Sequence, residues 1–138
     1  NFWNSAICIC CVVVEVVPAE VDVTRDPPEA ENAAAVVTVA SLEQIGTRFE
    51  PFLNYLMKNS PSLVIHVEPI GELLDQNNLM DYLSLEYFKK RNYLSGYLTR
   101  LQELESRRKI QVVKAQRSHM GSFFIDGYSI IVWRPVVS

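Results

Sequence analysis

Runs of β-branched residues and stretches of helical period follow one another along the chain. The first run, "AICICCVVVEVV" (Ala6 to Val17), is apolar nearly throughout and is interrupted by Glu15. It is too short to cross a bilayer and reads as a buried strand, or two. Pro27-Pro28 and the acidic residues around them mark a loop or linker over Val21 to Ala35. Val36, Val37 and Val39 open a second strand in "VVTVASLEQIG", which Gly46 closes. Phe49, Phe52, Leu53, Leu56 and Met57 then recur at the spacing of one helix face. Pro51 suits the first turn of that helix, where its missing N–H does no harm. Asn59-Ser60-Pro61 stops it, and "LVIHV" is the next strand.

A long helical region follows. Leu79 to Lys90 reads as a helix with Asn78 as its cap. Leu94, Tyr97, Leu98, Leu101 and Leu104 hold a helical period from about Asn92 to Arg108, and Arg107, Arg108 and Lys109 suit the negative end of that helix. "IQVVKAQR" (Ile110 to Arg117) is a strand. Asp126-Gly127 signals a turn before a final strand, Tyr128 to Trp133. His119 falls in loop before a Met-Gly turn, and Trp133 reads as core. Alternating strands and helices predict an α/β fold with a mainly parallel sheet and helices on its faces. The last two strands should form an antiparallel pair, because a parallel pair needs a crossover. Residues 1–35 are then an N-terminal strand or strands with a linker, and residues 36–138 the α/β domain.

Composition narrows the function classes. The 138 residues suffice for one domain with a real core. Hydrophobic residues at 49% and charged residues at 21% are those of an ordinary globular protein. A net charge of −3 argues against a nucleic-acid binder, which carries a basic excess. No basic residue precedes the first apolar run, so neither a signal peptide nor a membrane span is expected. Cys8, Cys10 and Cys11 are the only cysteines. They read as core thiols of a reducing, cytoplasmic compartment rather than as a metal site, and no metal is expected. The chain opens on Asn1, which leaves a fragment or a processed product open.

The candidate chemistry gathers in "LVIHVEPIGELLDQNN" (Leu63 to Asn78). In open α/β sheets ligands sit beyond the carboxyl ends of the strands. His66 and Glu68 lie at such an end and, by strand alternation, on one face. Pro69 ends the ladder behind them. His66 is then a candidate base and Glu68 a candidate acceptor or orienter of a substrate proton. The plainer roles are a core histidine and a turn cap. Ser41, Glu43 and Gln44 follow the preceding strand and stand where they would touch a cofactor or substrate; Glu43 and Gln44 are equally placed to cap the helix near Arg48. Asp81, Tyr87, Arg91 and Tyr93, with Tyr82 nearby, form a polar and aromatic group that would contact substrate. Its alternative is a helix face divided between core and solvent, just as Lys89-Lys90-Arg91 also reads as a solvated face.

The order and spacing of "LEQIG", "HVEPI", "KKRNYL" and "GSFFIDGYSIIVWRP" give a resemblance. From about Val36 to Pro135, roughly 70% of the chain, the sequence resembles the C-terminal half of Rossmann-like S-adenosylmethionine-dependent methyltransferases, in particular small bacterial and phage-type ones of unassigned substrate. The resemblance makes "ASLEQIG" the segment after the family's fourth strand and "HVEPIGELLDQNNLMDYLSLEYFKKRNYL" the substrate-facing segment after its fifth. "IQVVKAQR" and "YSIIVWRP" become its sixth strand and its antiparallel seventh. It implies S-adenosylmethionine as cofactor, Ser41, Glu43 and Gln44 beside it, and methyl transfer to an O or N nucleophile of a small acceptor. The family's Gly-rich cofactor turn has no counterpart: no G-x-G occurs, and residues 1–35 contain no glycine. The expectation is therefore a truncated or divergent methyltransferase. The alternative is a non-catalytic methyltransferase-like remnant that serves as a binding module or forms a homo-oligomer through an exposed sheet edge.

Overall fold

The computed structural model describes residues 11–15, 34–122 and 125–136. Its strands are β1 (Cys11–Glu15), β2 (Ala34–Val39), β3 (Leu63–Glu68), β4 (Ile110–Ser122) and β5 (Ile125–Pro135). Its helices are α1 (Glu50–Asn59), α2 (Leu79–Arg91) and α3 (Tyr97–Ser106), with short 3-10 turns at Glu43–Ile45 and Gly71–Leu73. The five strands form one sheet in the order β1-β2-β3-β5-β4. β1, which the sequence groups with the N-terminal linker, joins this same sheet antiparallel to β2. Cys8 and Cys10 lie outside the described residues.

The chain is α/β, but the sheet is mixed rather than mainly parallel. Only β2 and β3 pair in parallel, with Thr38 beside His66 and Val39 beside Val67. The β3–β5 and β4–β5 ladders are antiparallel. The cause is the strand that docks on β3. It is β5, whose Ile131 and Trp133 are wholly buried opposite His66 and Val64. β4 beyond Ile110 is largely exposed and takes the edge. β2, β3 and β4 thus run one way, with β5 reversed between the last two.

The helices form where the apolar period places them, with two boundary corrections. The helix expected from Asn92 begins at Tyr97. Asn92 instead ends α2 in the left-handed region (φ 54°), its N–H bonded to the carbonyls of Lys89 and Phe88. Asn tolerates that conformation, so the chain breaks there and resumes after Gly96. Asn78 caps α2 as expected, accepting from the N–H groups of Met80 and Asp81. Asp126-Gly127 is not the turn: both residues lie within β5, while β4 runs on to Ser122. His119 likewise sits in β4, at a register irregularity, with φ 55°.

β3 alternates cleanly. Val64, His66 and Glu68 are buried on one face, and Leu63, Ile65 and Val67 are half-buried on the other. Leu53 and Leu56 of α1 and Leu98, Leu101 and Leu104 of α3 share one core with Val64, Ile131 and Trp133. No helix among the described residues is long and apolar enough to cross a membrane.

Candidate functional site

The site is built where β2 and β3 end side by side. Ala40, just past β2, adopts φ 49° while its N–H still bonds the carbonyl of Val67 at 3.0 Å. A left-handed alanine costs about 1–2 kcal/mol. The sharp turn it makes brings Ser41 over the last residue of β3. There the Ser41 N–H (3.1 Å) and Oγ–H (3.3 Å) both donate to Oε1 of Glu68. Glu68 is 0% exposed, and its other oxygen, Oε2, is buried without a hydrogen-bond partner among the described residues. Buried polar atoms are nearly always paired, so this one calls for an explanation.

Pro69, the next residue, lines an open pocket of about 160 Å³. Glu43 enters from the 3-10 turn after β2, Tyr87 and Phe88 from α2, Tyr93 from the loop beyond it, and Tyr128 from β5. Gly121 and Gly127 complete the lining from the β4–β5 hairpin. A Cβ on Gly127 would approach Gly121 Cα to 3.8 Å, so the two glycines leave backbone, not side chains, at this wall. The turn carrying Glu43 is pinned to the loop carrying Tyr93. Gly46 (φ 58°) packs so closely on Asn92 that a Cβ there would lie 2.9 Å from its Nδ2.

Two carboxyls govern the electrostatics. Burial, and then the charge of Glu68, push the Glu43 carboxyl above its ordinary value, while Arg91 pulls it back. Tyr128 is raised by burial and then by Glu43 and Glu68, and Tyr93 by burial, by its hydrogen bond to Tyr87 and by Glu43. Tyr87 is lowered, chiefly by Arg91, whose Nε donates to its Oη at 3.2 Å and whose guanidinium carbon lies 5.6 Å from its ring centre. Tyr87 and Tyr93 meet edge to face at 5.8 Å.

His66 lies one step deeper and is enclosed by partners. Nδ1 meets Thr38 Oγ1 at 2.7 Å, and Nε2 meets Tyr97 Oη at 2.8 Å and Trp133 Nε1 at 3.1 Å. An indole N–H only donates, so Nε2 accepts and the neutral ring carries its proton on Nδ1, towards Thr38. Burial lowers its pKa to about 3. His66 is therefore a neutral core histidine at ordinary pH; the pocket lining includes neither it nor Glu68, which lies directly behind Pro69.

Of the other sequence candidates, Ser41, Glu43, Tyr87 and Tyr93 gather at this end of the sheet with Glu68, and Arg91 stands beside them. Gln44 is exposed. Asp81 serves elsewhere. It is 2% exposed, and its two oxygens take both terminal nitrogens of Arg117 at 2.7 Å, with the Asp75 N–H at 2.8 Å. Burial works to raise its carboxyl, but the Asp75 N–H and the Arg117 guanidinium outweigh it and hold it below the usual carboxylate range. The pair ties α2 to β4. Sequence reasoning missed Tyr128, Phe88 and the facing glycines as pocket walls. No local signal offered the glycines, since Gly121 and Gly127 both stand where the sequence reads as turns. No protein-family model, curated protein or solved structure matches the chain.

Proposed function

We propose that the chain is a methyltransferase-like α/β domain, truncated or divergent, that holds a small acceptor at the carboxyl ends of β2 and β3. The reaction would be methyl transfer from S-adenosylmethionine to an O or N nucleophile. The observation that carries this reading is Glu68: a buried carboxyl at the end of a central strand, oriented through one oxygen by Ser41 and without a partner on the other among the described residues. An acceptor O–H or N–H would satisfy that oxygen. Strain at Ala40 supports the reading too, because strained backbone clusters where a site is held in shape. So does the strand plan, since the resemblance implies an antiparallel last strand among strands that run together.

The chain's own residues would bind and orient. Glu68 and Glu43 take the acceptor's proton-bearing end, the tyrosine walls flank it, and transfer needs in-line approach more than strong acid–base chemistry. His66 supports them from below as a fixed neutral hub. The pocket has room for a small acceptor and not for the whole of S-adenosylmethionine. About 160 Å³ is short of the roughly 300–1,000 Å³ of whole-ligand sites, and the Ser41 donors are already engaged with Glu68. An adenosine group would rest on residues beyond the pocket.

A second reading, a non-catalytic binding or oligomerisation module, is favoured by β4. It is an edge strand with exposed Val113 and Met120. Calorimetric titration with S-adenosylmethionine and S-adenosylhomocysteine decides between them. Binding of either is expected, with Glu68→Gln weakening it about tenfold or more, the size of a charged hydrogen bond. No binding to either, together with a dimer in light scattering, would replace the first reading with the second.

A further inference from the structure

We infer that the pocket beyond β3 takes a small alkylammonium group, so that the ligand class of this site is a protonated amine. Three observations converge on it. The lining joins one carboxyl, Glu43, to the aromatic rings of Phe88, Tyr93 and Tyr128. Aromatic faces around a carboxylate are the surroundings a cation prefers. Glu68 stands one residue before the pocket-lining Pro69, and its charge is felt at Glu43 and at Tyr128. Two carboxyls at one strand end repel each other, and a cation between them removes the repulsion. The buried Oε2 of Glu68, just behind the lining, lacks a donor among the described residues, so negative charge there is not offset by the protein's own N–H groups. An ammonium in the pocket offsets it, whereas a neutral ether, a carboxylate or a phosphate does not.

Arg91 is the nearest cation of the protein itself. It packs on Tyr87 from an exposed position and is not part of the lining. Arg91 also hydrogen-bonds Tyr93 from outside the lining, which leaves Phe88 and Tyr128 for a ligand. The size fits a short amine: a cavity of about 150 Å³ holds a benzene-sized guest, and this one has about 160 Å³. As a methyl acceptor the amine would first pass its proton to Glu43 to free the nitrogen lone pair, and that role depends on the reading given above; as a ligand it does not.

The test uses the whole chain at pH 8, with n-butylammonium, 1-butanol and butyrate as probes of one shape and three charges. Affinities are read from NMR shift titrations. n-Butylammonium should bind at least about tenfold more tightly than 1-butanol, with butyrate weakest. Glu43→Gln, nearly isosteric and on the rim rather than in the core, should abolish most of that preference. Equal affinities, tighter binding of butyrate, or a Glu43→Gln variant that keeps the full preference would overturn the assignment. S-adenosylmethionine titrated in parallel separates the two ideas. An ammonium preference without cofactor binding removes the methyltransferase reading alone. Cofactor binding without an ammonium preference removes the amine alone.

Discussion

His66 and Glu68 sit two residues apart on one strand, on the same face, both at 0% exposure. Position and burial do not distinguish them, yet their surroundings differ in kind. Both nitrogens of His66 are met by Thr38, Tyr97 and Trp133, with the rings of Tyr97 and Trp133 5.1 and 6.4 Å away. Glu68 has donors on one oxygen only. A fully satisfied polar cluster fixes a core, because its members have nothing left to offer a ligand. A half-satisfied group beside a pocket is where a ligand adds something. Hydrogen-bond satisfaction, more than nearness to the strand end, separates scaffold from site here.

The largest effect should come from breaking the satisfied member. His66→Leu removes the partner of Thr38 Oγ1, Tyr97 Oη and Trp133 Nε1 at once. At about 1–3 kcal/mol for each buried group left short, a loss of roughly 3–9 kcal/mol in denaturant unfolding is expected. A loss under about 1 kcal/mol would show that the cluster contributes little and that the contrast with Glu68 is empty.

A smaller effect of the same cluster should appear between about pH 6.5 and 5. The folded pKa of His66 lies at about 3, below its unfolded value of 6.5, so the unfolded chain binds the extra proton first. Stability should be full above pH 6.5 and fall as pH drops from there towards 3, by about 1.4 kcal/mol per unit. Subtracting the pH profile of His66→Leu from that of the wild type isolates this slope; a flat difference between pH 6.5 and 5 would contradict the neutral buried ring.

The smallest effect on stability belongs to Glu68→Gln. The amide keeps an acceptor for Ser41, and the unmet oxygen had no protein partner to lose. A change within about 1 kcal/mol is expected, even though ligand affinity falls. A melting temperature that drops as far as that of His66→Leu would make Glu68 a structural residue like its neighbour.

Much of this was legible in residues. The spacing of Phe49, Leu53 and Leu56 and of Leu98, Leu101 and Leu104 carries α1 and α3, because a helix face repeats locally and needs no distant partner to be seen. Alternation in "LVIHVE" put His66 and Glu68 on one face, as found. The roles of the two residues were not legible. They depend on Thr38, Tyr97 and Trp133, which lie 28, 31 and 67 residues from His66, and on Ser41, 27 from Glu68. Asp81 was misjudged for the same reason, its partner Arg117 being 36 residues away.

The sequence by itself determined the α/β class, the helix faces, the Asn78 cap, and which end of which strand carries acidic chemistry. These follow from local periodicity and from the stereochemistry of single residues. Tertiary structure alone decided that β5 inserts beside β3, that Asp126-Gly127 extends a strand instead of turning it, and that Tyr93 and Tyr128 face Glu43 across one pocket. Those outcomes turn on which apolar surfaces bury each other and which polar atoms find partners across the chain. Such choices are settled by packing in three dimensions and leave no short-range pattern to read.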